Sequence, residues 1–461
     1  MEGYQGIKLP TWASTMETFL PCLVSIKLSS LHELQHLPSM SQLCHLKSLQ
    51  LWNMPMVEHI ESDAPSASVS KATKPMMTFF PSLEELVLVE MPQLKGWRRN
   101  LLWKEMEAGG GCLINDRGSQ EQAVILPSFP RLRDLSIGYC NSMTYFPPCP
   151  LLKKLELWVV NEALTFCMKG GFHPSPIKST TVSTSPSSSS SSVPCSLRAP
   201  ILCLEKLNID NPTIFNSLFE EFVLGAVHIQ IEDFAQVESM WTVRKGFRGC
   251  ESSIRHLKLE SCSELTTLSG SGIEHLYNLQ SLSIERCDNL DLEGMPWCDN
   301  LDYWGVPCIS LDSLSSLRLA ELPKLLNLPW RFQYLTSLQS LQIESCGNLE
   351  ALGDCIGSLC SLRSLQIKNC YNLKALPECM DSLKSLELLH ISHCHELKSL
   401  PEAMCHLTSL ITLKILYARD DLEKRCLQPD GEDWPKIRHI PHVYVIGWTR
   451  RAFIYDMFGE V

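Results

Sequence analysis

The densest set of side chains able to bind a metal or share a proton in this 461-residue chain is His390, His393, Cys394, His395 and His406. A structural metal site needs ligands that converge, which a sequence usually supplies as paired CxxC or HxxxH units. Those pairs are missing here. Cys394 also occupies a slot that Cys346 and Cys370 fill earlier in the chain, an inward turn position where apolar surroundings raise a thiol's pKa and make it inert. The histidines are therefore read as structural, and neither a metal centre nor a Cys-His nucleophile is assigned. The glycines at 109–111 are followed by no lysine and are fed by no strand, so they read as a loop and not as a phosphate cradle. Asp430, Glu432 and Asp433 around Gly431 lack the alternating acidic spacing of a calcium loop and read as a turn. Arg98 with Arg99 and Arg450 with Arg451 are isolated basic pairs. No catalytic, cofactor-binding or metal-ligating residue is assigned, and no enzyme reading has a constellation to rest on.

Cys394 leads back to the element that carries it. Between residues 335 and 417 the phrase LxSLxxLxIxxCxxLxxL is read from Leu335, Leu359, Leu383 and Leu407, a constant step of 24. Leu341, Leu365, Leu389 and Leu413 superimpose, as do Ile343, Ile367, Ile391 and Ile415, and Ala418 takes the cysteine slot in the last copy. Self-similarity at a period of roughly 20 to 29 residues with this leucine grammar marks a leucine-rich-repeat solenoid. Leu341 and Ile343, two apart, share one face of a strand while Gln342 points away. Leu349 and Leu352 fill the core from the turn side. Pro377 and Pro401, each followed by Glu, are expected in the first turn of a short helical segment. Phe332, Ile356, Met380 and Met404 hold one register in that segment and are expected to line the convex half of the core. No repeat can bury its own apolar face, so the phrase demands stacking.

The same core pair is traceable as Ile26/Leu28, Leu49/Leu51, Leu86/Leu88, Leu135/Ile137, Leu155/Leu157, Leu207/Ile209, Ile229/Ile231, Leu257/Leu259, Leu282/Ile284 and Leu317/Leu319. The expected fold is an α/β solenoid with a concave parallel sheet of about 14 strands, roughly 60 Å long, and an irregular or short-helical convex side. Irregular repeats fill 1–165, with loop insertions at 61–78 and 96–125. A Ser/Pro-rich insertion at 166–200 holds too few apolar residues to fold. Further repeats run through 201–417, regular from 335, and a cap at 418–447 is expected to cover the last coil with Trp434, Ile437, Ile440, Val443 and Val445. Residues 448–461 form an unassigned tail. The start shows no cap, which implies that upstream repeats or domains have been lost or reside elsewhere.

A formal net charge of −11 argues against a sequence-independent grip on nucleic acid. The first residues lack the basic-then-apolar order of a signal peptide, and no apolar run is long enough for a membrane span. Of 21 cysteines, Cys140, Cys262, Cys287, Cys346, Cys370 and Cys394 take the inward slot, a packing use typical of reduced thiols. The only Asn-x-Ser/Thr triplet, at Asn211, is spoiled by Pro212. A cytoplasmic location is expected.

What remains is the open face of the sheet. Its outward positions, among them Lys258, Arg318, Gln342, Gln366, His390 and Lys414, make a polar ladder of mixed sign suited to protein recognition. Trp52, Tyr139, Trp158 and Tyr417 add large apolar groups of the kind that anchor interfaces. These ten residues are the candidate protein-binding set.

The opening GYQGIKLPTW, the phrases LVSIKLSSLHELQHLP and FPSLEELVLVEMPQLKGWRR, the repeated LxIxxCxxLxxLP and the ending GEDWPKIRHIP carry a resemblance. From residue 1 to about 446 the chain resembles the leucine-rich-repeat region of plant coiled-coil nucleotide-binding disease resistance proteins, which are intracellular immune receptors. That resemblance implies a non-catalytic role in innate immunity: binding a pathogen effector, a guarded host protein or the receptor's own nucleotide-binding switch domain. The family's phosphate loop needs a Gly-Lys pair, and none occurs here, so ADP or ATP is expected only on a separate upstream nucleotide-binding domain. A leucine-rich substrate adaptor of a ubiquitin ligase is the alternative on the same scaffold. It calls for an F-box-like helical segment that this sequence does not show.

Overall fold

The computed structural model describes residues 3–10, 16–38, 40, 43–61, 80–98, 129–147, 149–166, 204–211, 213–215, 218, 228–232, 253–268, 276–293, 311–427 and 429–447. All but the edges of the expected insertions at 61–78, 96–125 and 166–200 lies outside them, as does the tail at 448–461.

Alternation of inward aliphatic and outward polar residues makes the strands. They are β1 (Ser25–Ser29), β2 (Ser48–Trp52), β3 (His59–Glu61), β4 (Glu85–Val89), β5 (Gly96–Arg98), β6 (Asp134–Cys140), β7 (Tyr145–Phe146), β8 (Lys154–Val160), β9 (Thr165–Phe166) and β10 (Lys206–Ile209). There follow β11 (His228–Glu232), β12 (His256–Glu260), β13 (Ser281–Glu285), β14 (Ser316–Ala320), β15 (Ser340–Glu344), β16 (Ser364–Lys368), β17 (Leu388–Ser392), β18 (Thr412–Ala418) and β19 (His442–Gly447). Fifteen of these follow one another in sheet order as they do in the chain. The chain divides into two compact units, the first built mainly from residues 1–155 and the second mainly from 204–220 and 224–461.

In the first unit β1, β2, β4 and β6 pair in parallel, Ile26 against Leu49, Leu49 against Leu86, and Leu86 against Leu135. Two short parallel ladders, β3 with β5 and β7 with β9, form at the turn side of the coils. Gly96–Arg98, at the start of the stretch expected to be an insertion, is therefore strand. Behind the sheet runs an aromatic spine: Phe129 stacks 5.9 Å from Phe80 and 5.5 Å from Phe146, and Trp97 sets its ring edge-on to both Phe129 and Phe146. Val87, expected to point outward, is buried together with Val89.

In the second unit, strands β10 to β18 repeat one register, so that Leu341, Leu365 and Leu389 are direct neighbours on adjacent parallel strands and are all fully buried. Phe332, Ile356, Met380 and Met404 stack as expected on the far side of the core, each fully buried. They lie in 3-10 turns, not α-helices. Pro377 and Pro401 cap those turns instead of sitting inside them, because their carbonyls accept the first turn bonds, from Met380 N and Met404 N, each at 3.3 Å. Glu378 serves the next coil: its carboxylate accepts the amides of Glu402 at 3.1 Å and Ala403 at 2.8 Å.

Twelve of the strands are left through a residue in the left-handed region, at Ser30, Asn53, Glu90, Tyr139, Val159, Ser261, Arg286, Glu321, Ser345, Asn369, His393 and Tyr417. None is glycine. The conformation turns the amide toward the next strand, as in Ser345 N to Lys368 O at 2.8 Å and His393 N to Leu416 O at 3.0 Å, adding one rung to the ladder per coil. The inward cysteines follow directly. Cys394 Sγ–H reaches Ser392 O at 3.5 Å, and burial pushes the thiols of Cys140 and Cys394 up to about 12 and that of Cys346 up to about 11.

The segment expected to be a lid continues the sheet instead. β19 pairs in parallel with β18, Val443 against Leu413 and Val445 against Ile415. Val443 and Val445 repeat the inward pair, and pairing satisfies the N–H and C=O groups that β18 would otherwise present at an open edge. The connection holds an α-helix (Asp420–Cys426) and a single helical turn (Trp434–Ile437), with Ile437 and Ile440 buried. Asp433 fastens it. Its fully buried carboxylate accepts from Arg425 Nε at 2.9 Å and Nη2 at 3.0 Å, from Leu400 N at 3.1 Å, and meets Lys436 Nζ at 3.0 Å.

Candidate protein-recognition surface

The outward residue between the two core aliphatics forms one continuous row in the second unit. From Lys258 it passes through Ser283, Arg318, Gln342, Gln366 and His390 to Lys414, each directly opposite the next on adjacent strands. Six of the ten expected binding residues therefore share a single line. Tyr417 lies at the left-handed exit of β18, its ring 4.4 Å from that of His393. Trp52, Tyr139 and Trp158 sit on β2, β6 and β8, and the first two are 38% and 48% exposed. The inserted loops that could shelter Trp52 and Trp158 lie outside the described residues.

A second row, one position after the core pair, was not singled out in the sequence, and it decides the electrostatics. Glu260, Glu285 and Glu344 stand there. Lys258 Nζ meets Glu260 at 2.5 Å and Glu285 at 3.2 Å. Arg318 meets Glu285 at 3.0 Å and Glu344 at 2.7 Å, and donates to Gln342 Oε1 at 3.1 Å. Arg286 closes the chain on Glu260. Partial burial works against charge on Lys258 and Arg318, but their carboxylate partners outweigh it and hold both pKa values above the ordinary range. Burial likewise opposes the charge on Glu285, and Ser283, Lys258 and Arg318 outweigh it to hold its carboxyl low. Over β12–β15 the face is thus a closed network of alternating charge. Its sequence trace was the Glu that follows the core pair in HLKLE, SLSIE and SLQIE.

Over β16–β19 the composition changes. The row carries Gln366, His390, Lys414 and Tyr444, and the flanking positions carry Lys368, Leu388, Leu416 and Ile446. His390 Nε2 is buried without a hydrogen-bond partner. Burial, and then the ammonium groups of Lys368 and Lys414, bring its pKa down to about 4, so its ring is neutral at pH 7. At the start of the strands His228 and His256 stack face to face at 4.1 Å. Burial, His228 and Arg255 lower the pKa of His256.

Among the described residues no group of three or more His, Cys, Asp or Glu could hold a metal ion, and no helix is long and apolar enough to cross a membrane.

Residues 1–54 match the model of the R13L1/DRL21 leucine-rich repeats, and residues 225–353 match that of the leucine-rich repeats of RPS2-like plant disease resistance proteins. Both describe leucine-rich repeats, modules that are generally non-catalytic and bind proteins. No curated protein matches the chain. Among solved structures, the leucine-rich repeat domain of the type III effector XopL is 22% identical over 54% of this chain and 75% of its own, with a TM-score of 0.34. A leucine-rich repeat protein of Leptospira interrogans is 15% identical over 95% of this chain and 92% of its own, with a TM-score of 0.34. TLR13, in its complex with ssRNA13, is 17% identical over 87% of this chain and 60% of its own, with a TM-score of 0.39.

Proposed function

We propose that this chain, whose repeats match the plant resistance-protein type in two stretches, is a non-catalytic recognition module of plant innate immunity, acting in the cytoplasm. Its open sheet face meets a pathogen effector, a guarded host protein or the nucleotide-binding switch domain of a receptor. ADP or ATP belongs to that switch domain and not to these repeats. The observation that carries the reading is the unbroken outward row from Lys258 to Lys414 across seven adjacent strands, polar, half-buried and rigidly spaced by a fully packed spine. Such a row presents a fixed pattern of donors, acceptors and charge to a macromolecule.

The test is a pull-down of separately expressed nucleotide-binding domain or candidate effectors by the full chain and by the variant Arg318→Glu, Gln342→Glu, Gln366→Glu, Lys414→Glu. Capture by the parent chain and its loss in the quadruple variant is the expected result. Capture that survives all four changes removes the sheet face from the mechanism.

A further inference from the structure

We propose that the exposed face of β16–β19 is the docking site for an acidic, apolar stretch of a partner protein, its carboxylates held by Lys368 and Lys414 and its apolar side chains laid over Leu388, Leu416 and Ile446. The inference rests on the protein-recognition reading and narrows it to one part of the face and one partner chemistry.

The two parts of the face treat charge in opposite ways. On β12–β15 every cation of the outward rows is spent on a neighbouring carboxylate, so a charged partner would have to break existing pairs to engage it. On β16–β19 no outward strand position is Asp or Glu. Glu344 stands opposite Lys368 in the register but turns to Arg318 at 2.7 Å. Among the described residues neither Lys368 nor Lys414 has a carboxylate within ion-pair distance. The two flank His390, whose buried Nε2 also lacks a partner. A carboxylate placed there would bridge two ammonium groups that have no carboxylate of their own.

The apolar component comes from the same strands. Leu388 takes a position that is serine on β13, β14, β15 and β16, while Leu416 and Ile446 take the position held by Glu on β12, β13 and β15. All three are part-exposed, and Tyr444 is 42% exposed beside them. Aliphatic groups set beside unpaired cations favour a polypeptide over a phosphate backbone. Their arrangement matches interfaces in which apolar anchors bind and rim charges select.

The experiment selects random displayed peptides on the full chain, then measures the enriched pool on Lys368→Glu/Lys414→Glu and on Arg318→Glu/Gln342→Glu. The milder Lys368→Gln/Lys414→Gln controls for folding. The expected pool interleaves Asp or Glu with Leu, Ile or Phe, and binds at least tenfold more weakly to both Lys368/Lys414 variants. It also raises the His390 pKa in an NMR titration, since a carboxylate replaces uncompensated positive field. No enrichment, a pool without acidic bias, or an unmoved His390 overturns the proposal. Loss of binding only in Arg318→Glu/Gln342→Glu overturns it while leaving the sheet-face reading intact, whereas binding indifferent to every variant overturns both. Oligo-dT or phosphatidylserine vesicles binding as tightly as the peptides, through the same lysines, would reassign the cations to phosphate and overturn it too.

Discussion

Replacing Asp433 by alanine tests how the end of the solenoid is held. The side chain is fully buried and receives two bonds from Arg425, one from the Leu400 amide and an ion pair from Lys436. Removing one partner of a buried pair costs about 3–5 kcal/mol because the other is left uncompensated. Arg425 retains 32% side-chain exposure and can rehydrate, which places the loss near the lower end, about 3 kcal/mol. That corresponds to about two orders of magnitude in the local opening constant. Coils in a solenoid touch only their neighbours, so the effect should stay local. Native-state hydrogen exchange should show the Leu400 amide and β19 losing about a hundredfold in protection while β12–β14 are unchanged. The acid side follows the same sign. Burial opposes the charge on Asp433, but Arg425, Lys436 and the Leu400 amide outweigh it and hold the folded pKa low. The contribution is therefore present above the ordinary carboxylate value of 3.8 and is lost as pH falls through the lowered folded value. Protection within threefold of the parent at Leu400 and β19 would refute the reasoning.

Val159 sits in the left-handed region at φ 50 with 42% exposure, a conformation hard on a β-branched residue. Val159→Asn should stabilise the chain by about 0.5–1 kcal/mol, read as a higher denaturation midpoint; a lower midpoint contradicts the strain argument. A Cβ on Gly357 would lie 2.7 Å from the Cys379 carbonyl oxygen, whereas one on Gly347 would meet open space. Gly357→Ala should lower thermal stability and Gly347→Ala leave it unchanged or slightly raised; equal effects would count against close coil-on-coil approach there. His390 is neutral when folded, with its pKa near 4 against an ordinary 6.5, so the unfolded chain binds the extra proton between those values. Gln366 and Lys368 on β16 and Thr412 and Lys414 on β18 flank it. Stability should fall as pH drops from about 6.5 to about 4, by about 1 kcal/mol after allowing for the ring's partial exposure, and His390→Gln should flatten that slope in urea titrations. Identical slopes in parent and variant would exclude His390 as the cause.

The strand pairs, the inward cysteines and the convex stack of Phe332, Ile356, Met380 and Met404 could all be read from the sequence, because each depends on a local period that stacking merely repeats. β19 could not be read in the same way. HVYVIG alone is an alternating strand, but whether it lies across the last coil or beside it depends on the edge β18 leaves open, a property of the assembled sheet. The left-handed exits were equally hidden, since Ser, Asn, Glu, Tyr and Val in those positions give no glycine signal and the conformation is imposed by the amide bond to the next strand.

The candidate surface divides along the same line. Which residues face outward followed from a period of two. Which of them remain available did not, because Lys258 and Arg318 meet Glu285 and Glu344 only once the register sets their strands side by side. Lys368 and Lys414 looked no different in the chain. Periodicity is a property of one strand and can be counted along it, whereas pairing of charges across strands joins residues about two dozen positions apart or more and exists only once the strands are stacked.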